Sequence, residues 1–254
     1  MLNIITYKWK KDGYRSKFEG WHVNALFEQC KLHVHVPFKF WLVTDDPTGV
    51  DPAISVIPLW ANPAPHYAVG EFDRPNCFYR LKMFSKEFQD LMDGPIMSLD
   101  LDTVITGDIT HLITQDEFTI WCPDGERMPC NGSLVYFHNT ERTKKLWEKF
   151  DPSRIDPDYS LRREEGKFVG SDQAWIATNL LPEDKFYGIK DGVYSFRCHL
   201  LPKGGRLPHD AKIVFFHGKY DPWDEALWKK YPWIKTHYLT LNKGEQSGHD
   251  FSRQ

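Results

Sequence analysis

The sequence predicts an α/β domain built on a mixed, mainly parallel sheet flanked by helices, and three observations carry that prediction. Up to Ile57 the chain alternates a strand-like run, a helical stripe and two further strand-like runs, the order that opens a parallel, ligand-binding half sheet. Short β-rich apolar runs recur along its length, among them NIITY, FKFWLVT and KIVFF. The stretch Gly94 to Asp108, GPIMSLDLDTVITGD, runs from a breaker through a buried strand to two carboxylates at its end. With 254 residues and no linker-like segment, the chain reads as a single domain over 1–241 with a polar tail at 242–254.

Asn3 to Tyr7 is the first strand. Trp21, Leu26, Phe27 and Cys30 space as the apolar stripe of a helix from about Phe18 to Lys31, which Pro37 closes off. Phe38 to Thr44 is a second strand ending at Asp45, Asp46 and Pro47, and Ile54 to Ile57 a third. Ala61 to Asn76, rich in Pro, Asn and Gly, reads as an irregular loop. Tyr79 to Met92 reads as a helix whose stripe is Leu81, Phe84, Phe88, Leu91 and Met92, leaving Arg80 on another face; Lys82, about 200° away, cannot share it. Beyond the central strand, Phe118 to Trp121 and Ser133 to Phe137 are strands and Glu141 to Phe150 a helix. Pro152 to Glu165 is polar loop, Ser171 to Leu180 a helix opening on SDQ, and Lys212 to Phe216 a last buried strand. Trp228, Tyr231 and Trp233 then pack a C-terminal helix onto the sheet.

Charge and cysteine content exclude several functions. Thirty-two basic against 35 acidic residues leave a net charge of −3, so no broad field recruits nucleic acid or an anionic membrane. No apolar run approaches the ~18 residues of a membrane span, and the opening MLNIITYKWKKDGYRSK puts its apolar run before its basic one, the reverse of a secretory signal. The five cysteines are odd in number and contain no CxxC pair, which fits free thiols, and the expectation is a cytoplasmic protein. Walker-type and dinucleotide fingerprints are absent.

In an extended chain Asp100 and Asp102 point to one side. Two acids so close repel unless a cation lies between them, and a hard divalent ion with oxygen ligands answers that need; an ordinary strand ending in an Asp-rich turn is the plainer alternative. Downstream, IVFFHGKYDPW places His217 where a buried strand ends, then Gly218, which lets backbone approach a ligand, and the mobile charge of Lys219. His33 with His35, and Asp45 with Asp46, read as surface and turn residues.

These motifs, in this order, resemble the GT-A glycosyltransferases, and most closely the retaining family that includes bacterial lipopolysaccharide galactosyltransferases and glycogenin. The resemblance rests on FYRLKMF, MSLDLDTVITGDI, NGSLVYF, GSDQAW and FFHGKYDPW, the last being similar to that family's H-F-x-G-x-x-K-P-W, and it spans Cys77 to Trp223. Two departures stand out: Asn131, Gly132, Ser133 occupies the place of N-A-G, and Asp221 stands where the family has a lysine before Pro-Trp.

The resemblance implies a GT-A fold and a nucleoside-diphosphate sugar donor, a UDP-sugar first among them, with a glycan or other hydroxyl acceptor. It implies that Asp100, Asp102 and His217 bind Mn²⁺ or Mg²⁺, and two oxygens with one imidazole suit manganese. Arg80 would contact the diphosphate or donor sugar, and Lys219 the leaving phosphate with Gly218 beside it. Thr6 and Tyr7 would lie near base and ribose, although Tyr7 equally suits packing. Asn131, Asp172 and Gln173 would line the donor sugar and acceptor side, Asp172 being the carboxylate nearest the reacting carbon. Transfer would retain configuration, by attack from the leaving-group face or through a covalent Asp172 intermediate. The alternatives are a catalytically silent GT-A-shaped protein that binds glycan or nucleotide sugar, and a sugar-1-phosphate nucleotidyltransferase. The latter would carry a Gly-rich phosphate loop after strand one, where this chain has YKWKKDGYRSK.

Overall fold

The computed structural model describes residues 1–10, 17–61, 63, 77–123, 130–154 and 172–239. The polar tail, nearly all of the loop expected after Ala61 and most of the one expected after Pro152 lie outside the described residues. β1 (Leu2–Lys8), α1 (Gly20–His33), β2 (Phe38–Thr44) and β3 (Ser55–Pro58) follow in the expected order. At the start of α1 the Glu19 amide donates to His22 Nδ1 at 2.9 Å, so a side chain occupies an end donor that the helix cannot satisfy itself.

The helix expected over Tyr79 to Met92 is instead divided. Cys77–Phe84 is a 3-10 helix, Ser85 is extended and accepts the Phe88 amide at 3.2 Å, and a short α2 (Lys86–Gln89) follows. The spacing explains the difference. Phe78, Leu81 and Phe84 recur every third residue and all are fully buried, and three residues per turn stacks them in one row. The same period puts Cys77 and Arg80 in a second row, and Lys82 in a third, where its Nζ lies 5.6 Å from the Trp60 ring centre.

The central run is also divided, between β4 (Ile96–Leu99) and β5 (Thr103–Ile105). β6 (Phe118–Trp121), β7 (Asn131–Phe137), α3 (Glu141–Glu148) and α4 (Asp172–Thr178) match expectation to within a few residues. β8 (Lys185–Tyr187) and β9 (Val193–Ser195) are three-residue strands, too short to show periodicity in sequence. β10 (Ile213–Phe215), α5 (Glu225–Lys230) and α6 (Pro232–Tyr238) complete the chain.

Seven strands form one sheet in the order β3-β2-β1-β4-β7-β6-β8, in which β7 runs antiparallel to both neighbours and the other pairs are parallel. β5, β10 and β9 form a second, three-stranded sheet. β1 lies between β2 and β4 and is buried on both faces: Leu2 and Ile4 join the core that contains α1, while Ile5 and Tyr7 join the one that contains Phe78, Leu81 and Phe84. A third core behind the small sheet holds Val104, Val214 and Phe216 with Tyr231, Ile234 and Tyr238 of the C-terminal helices, as the sequence predicts for that segment. No helix among the described residues is long and apolar enough to cross a membrane.

The entry into β4 depends on Gly94, whose φ is +114° and where a Cβ would lie 2.2 Å from the Met1 carbonyl oxygen. Gly94→Ala should therefore destabilise the protein by at least ~1–2 kcal/mol from the backbone alone, lowering the melting temperature by roughly 2–8 °C. An unchanged melting temperature would contradict this account of the turn.

Candidate active site

A cleft of about 560 Å³ opens at the C-terminal ends of β1 and β4, the position at which parallel sheets bind ligands. Tyr7, Trp9 and Phe18 form its aromatic side, and Cys77, Arg80, Asp100 and Asp102 its polar side. Both carboxylates lie where the backbone leaves one sheet for the other. The Asp100 amide still bonds the Ser133 carbonyl of β7 at 3.1 Å, whereas the Asp102 carbonyl accepts the Phe216 amide just beyond β10 at 2.9 Å. The Thr103 hydroxyl closes the turn on the Asp100 carbonyl at 2.5 Å.

Arg80 is buried, at 5% exposure, and its guanidinium is shared. Nη1 meets Asp100 Oδ1 at 2.9 Å, Nε meets Asp172 Oδ2 at 3.3 Å, and Nη2 donates to the Gly132 carbonyl. Desolvation opposes the charge of Arg80, but Asp100 and Asp172 together outweigh it and raise its pKa. A Cβ at Gly132 would sit 3.0 Å from Arg80 Nη2 and 3.1 Å from Asp172 Oδ2, so a residue without a side chain is what lets the cluster close. The small residue that the sequence places one position away from the family's pattern has this local reason.

The two acids differ. Asp100 is held on one oxygen by Arg80 and on the other by the Ser133 hydroxyl, at 2.7 Å. Asp102 Oδ1 is shut off from solvent and has no hydrogen-bond partner. Burial first, then the charges of Asp100 and Asp221, push the Asp102 carboxyl well above the usual range. A buried, orphaned oxygen beside two other acids is what a cation would satisfy, and in this respect Asp100 and Asp102 fit a divalent ion. Among the described residues, no three His, Cys, Asp or Glu side chains are grouped so as to hold a metal ion.

His217 comes to the same end of the molecule, one residue past the amide that bonds Asp102. Its Nε2 lies 2.7 Å from Ser195 Oγ and its ring stands edge-on to Trp121 at 5.8 Å. Asn131 opens β7 and accepts the Ser133 amide at 2.9 Å. Asp172 is buried in the first turn of α4; Gln173 beside it is half-buried, and its carbonyl accepts the Cys130 thiol at 3.6 Å. Tyr7 lines the cleft, and burial raises the pKa of its hydroxyl, which has no hydrogen-bond partner. Thr6 points away from Tyr7 and does not line the cleft. Lys219 is exposed, with Nζ 5.3 Å from the Tyr220 ring centre.

Sequence reasoning did not single out Trp9, Phe18 or Cys77, nor the Ser133 bond to Asp100. Cys77 lies three residues before Arg80, a signal that becomes readable once the segment is known to be a 3-10 helix. Ser133 carries no signal, since its partner lies 33 residues away.

No protein-family model matches the sequence, and no curated protein matches it. Solved structures do. The galactosyltransferase LgtC, in complex with donor and acceptor sugar analogues, superposes with a TM-score of 0.61 at 10% identity, covering 96% of this chain and 98% of that one. An active-site mutant of LgtC gives 0.58 at 10% identity, covering 95% and 98%. The glycosyltransferase GlyE of Streptococcus pneumoniae TIGR4 gives 0.54 at 13% identity, covering 91% of this chain and 60% of that one. At these identities the likeness is one of fold, and it is the GT-A fold expected from the motifs.

Two consequences can be measured. Arg80→Met leaves Asp100 and Asp172 without their shared partner, and denaturant unfolding should show a loss of ~3–5 kcal/mol; a loss within error of zero would mean that the buried cluster does not hold these segments. The raised carboxyl of Asp102 binds a proton more tightly in the folded than in the unfolded chain, so its penalty is absent below the unfolded pKa of about 4 and grows as pH rises toward the folded value. With chelator present, Asp102→Asn should melt above wild type at pH 7, and the gap should close as pH falls toward about 4. A gap that is constant with pH, or reversed in sign, would contradict the burial of that charge.

Proposed function

We propose that the protein is a metal-dependent glycosyltransferase that moves a sugar from a nucleoside-diphosphate sugar, a UDP-sugar first among the candidates, to an acceptor hydroxyl with retention of configuration. The observation that carries this reading is the orphaned Asp102 oxygen beside Asp100, in a cleft at the strand ends of a GT-A fold. Asp100, Asp102 and His217 are the residues that would hold Mn²⁺ or Mg²⁺. The ion would supply Lewis-acid neutralisation of the charge that builds on the departing diphosphate.

The chain's own residues do the rest. Tyr7 and Trp9, edge to face with centroids 6.5 Å apart, offer an apolar wall suited to a nucleoside. Arg80, already desolvated and fixed by Asp100 and the Gly132 carbonyl, presents a preorganised positive charge to the donor. Asp172 Oδ2 faces Arg80 Nε at 3.3 Å as an ion pair without a hydrogen bond, and a carboxylate so paired is a weak nucleophile. That favours attack by the acceptor hydroxyl from the leaving-group face over a covalent intermediate on Asp172. Asn131 and Gln173 flank Asp172 on the side assigned to the sugars.

A second reading is favoured by one observation: Asp100 already has Arg80 and Ser133 as partners, as it would in a protein that keeps the fold to bind a glycan without turnover. Incubating purified protein with a panel of nucleotide sugars separates the two. Nucleoside diphosphate should be released with Mn²⁺, release should stop with chelator, and Asp100→Asn or Asp102→Asn should lower turnover by about a hundredfold or more. Equal turnover in chelator sinks the metal-dependent reading, and binding without release favours the silent one.

His217 makes a separate claim. If it is a metal ligand, its imidazole must be neutral, so protons should compete with Mn²⁺ and binding should weaken as pH falls. His217→Ala should keep its own melting temperature but lose most of the stabilisation that Mn²⁺ with nucleoside diphosphate gives wild type. A metal-dependent shift as large as wild type's would remove His217 from the ligand set.

A further inference from the structure

A diphosphate entering this cleft meets more acid than base. Asp100, Asp102 and Asp172 stand in or against it, and Asp221 acts on Asp102. Arg80 is the cation among them, and its guanidinium already faces two carboxylates and a carbonyl. Lys219, the cation read from sequence, lies over the Tyr220 ring. Among the described residues, the turn that follows β9 brings another cation, Arg197, to this end of the molecule.

Beyond Ser195 the chain makes a tight π-helical turn, Phe196–Leu200, whose first residue stacks on Phe216 with centroids 4.5 Å apart and planes 16° from parallel. Ser195 Oγ accepts the Cys198 amide at 2.9 Å and lies 2.7 Å from His217 Nε2. The first and last of these contacts fasten the start of the turn, just before Arg197, to the segment Phe216 to Gly218, and the Cys198 amide closes the turn on itself. Gly218 has a φ of +78°, a backbone conformation that favours glycine, and a Cβ there would lie 3.0 Å from Arg197 Nη1, so the guanidinium is laid directly against this turn. Gly218 is only two residues past the amide that bonds the Asp102 carbonyl, which brings Arg197 to the same end of the molecule as the paired acids.

We propose that Arg197 is a donor-binding residue, its guanidinium taking the diphosphate of the nucleotide at the Gly218 turn beside Asp102. This rests on the nucleotide-sugar reading above and adds to it a contact that the sequence motifs do not contain. A planar guanidinium can take two phosphate oxygens at once, and Arg197 follows directly on Ser195 and Phe196, which are held against His217 and Phe216. Asp221 occupies the position where a motif lysine was expected, and a cation supplied from β9 offsets that change of sign.

Isothermal titration in MnCl₂ tests the assignment, with uridine and guanosine diphosphates, the matching monophosphates and the free nucleosides as probes. Wild type should bind a diphosphate more tightly than its monophosphate. Arg197→Ala should weaken the diphosphate by about tenfold to a hundredfold and leave the nucleoside unchanged, and Arg197→Lys should recover part of the loss. Gly218→Ala, if its melting curve shows a folded protein, should repeat the Arg197→Ala pattern because its methyl group displaces the guanidinium. A wild-type ratio of diphosphate to nucleoside affinity in Arg197→Ala overturns this contact while leaving the nucleotide-sugar reading standing. Failure of wild type to bind any of these diphosphates overturns both.

Discussion

The buried guanidinium of Arg80 is the constraint on which the rest of the site depends. A charge out of water is tolerated only when its partners replace the hydration it loses, and here they come from three other parts of the chain: Asp100 at the end of β4, Gly132 in β7 and Asp172 in α4. One side chain thus registers a 3-10 helix, the central strand, its antiparallel neighbour and a downstream helix against one another. The cluster also bears on Gly132, since a Cβ there would lie 3.0 Å from Arg80 Nη2 and 3.1 Å from Asp172 Oδ2 and press on the ion pairs. It also separates the two acids in character, because Asp100 is neutralised from within the protein and Asp102 is not.

That asymmetry has its origin in the passage between sheets. Up to Leu99 the backbone pairs with β1 and β7, and from Thr103 it pairs with β10. The three residues between belong to neither ladder, so their side chains are set by what surrounds the junction. Asp100 turns toward β7 and finds Ser133 and Arg80. Asp102 is half-buried at the edge of the small sheet, near Asp221, and keeps one buried oxygen unsatisfied. A buried polar atom left so is unfavourable for folding alone, and its retention at a cleft is the physical argument for a ligand.

The small sheet brings the other half of the site. β10 runs antiparallel to β5, which returns the chain from Phe216 onward to the level of the acids, and β9 lies parallel on its other side. His217 and Gly218 reach that end of the molecule for that reason, and Arg197 arrives beside Gly218 on the turn that follows β9. The aromatic residues of the cleft come from β1, which runs parallel to β4, with Tyr7 near its end, Trp9 just beyond it and Trp60 packed edge-on against Tyr7 at 6.2 Å.

Taken alone, the amino-acid sequence determined the α/β class, the order of the first three strands and α1, and the delivery of Asp100 and Asp102 to a strand end. Those features follow from local periodicity and from breakers such as Gly94 and Pro37, which act over a few residues. It also brought His217 to the end of a buried strand, and the register between β5 and β10 sets it one residue past the amide that bonds the Asp102 carbonyl. What only the tertiary structure decided is the division of the central run between two sheets, the three-residue strands β8 and β9, the 3-10 winding of Cys77–Phe84 and the partners of each charge. Arg80 meets Gly132 across 52 residues, Asp100 meets Ser133 across 33, and Ser195 meets His217 across 22. Contacts of that span depend on which strand lies next to which, and no local pattern of side chains carries that information.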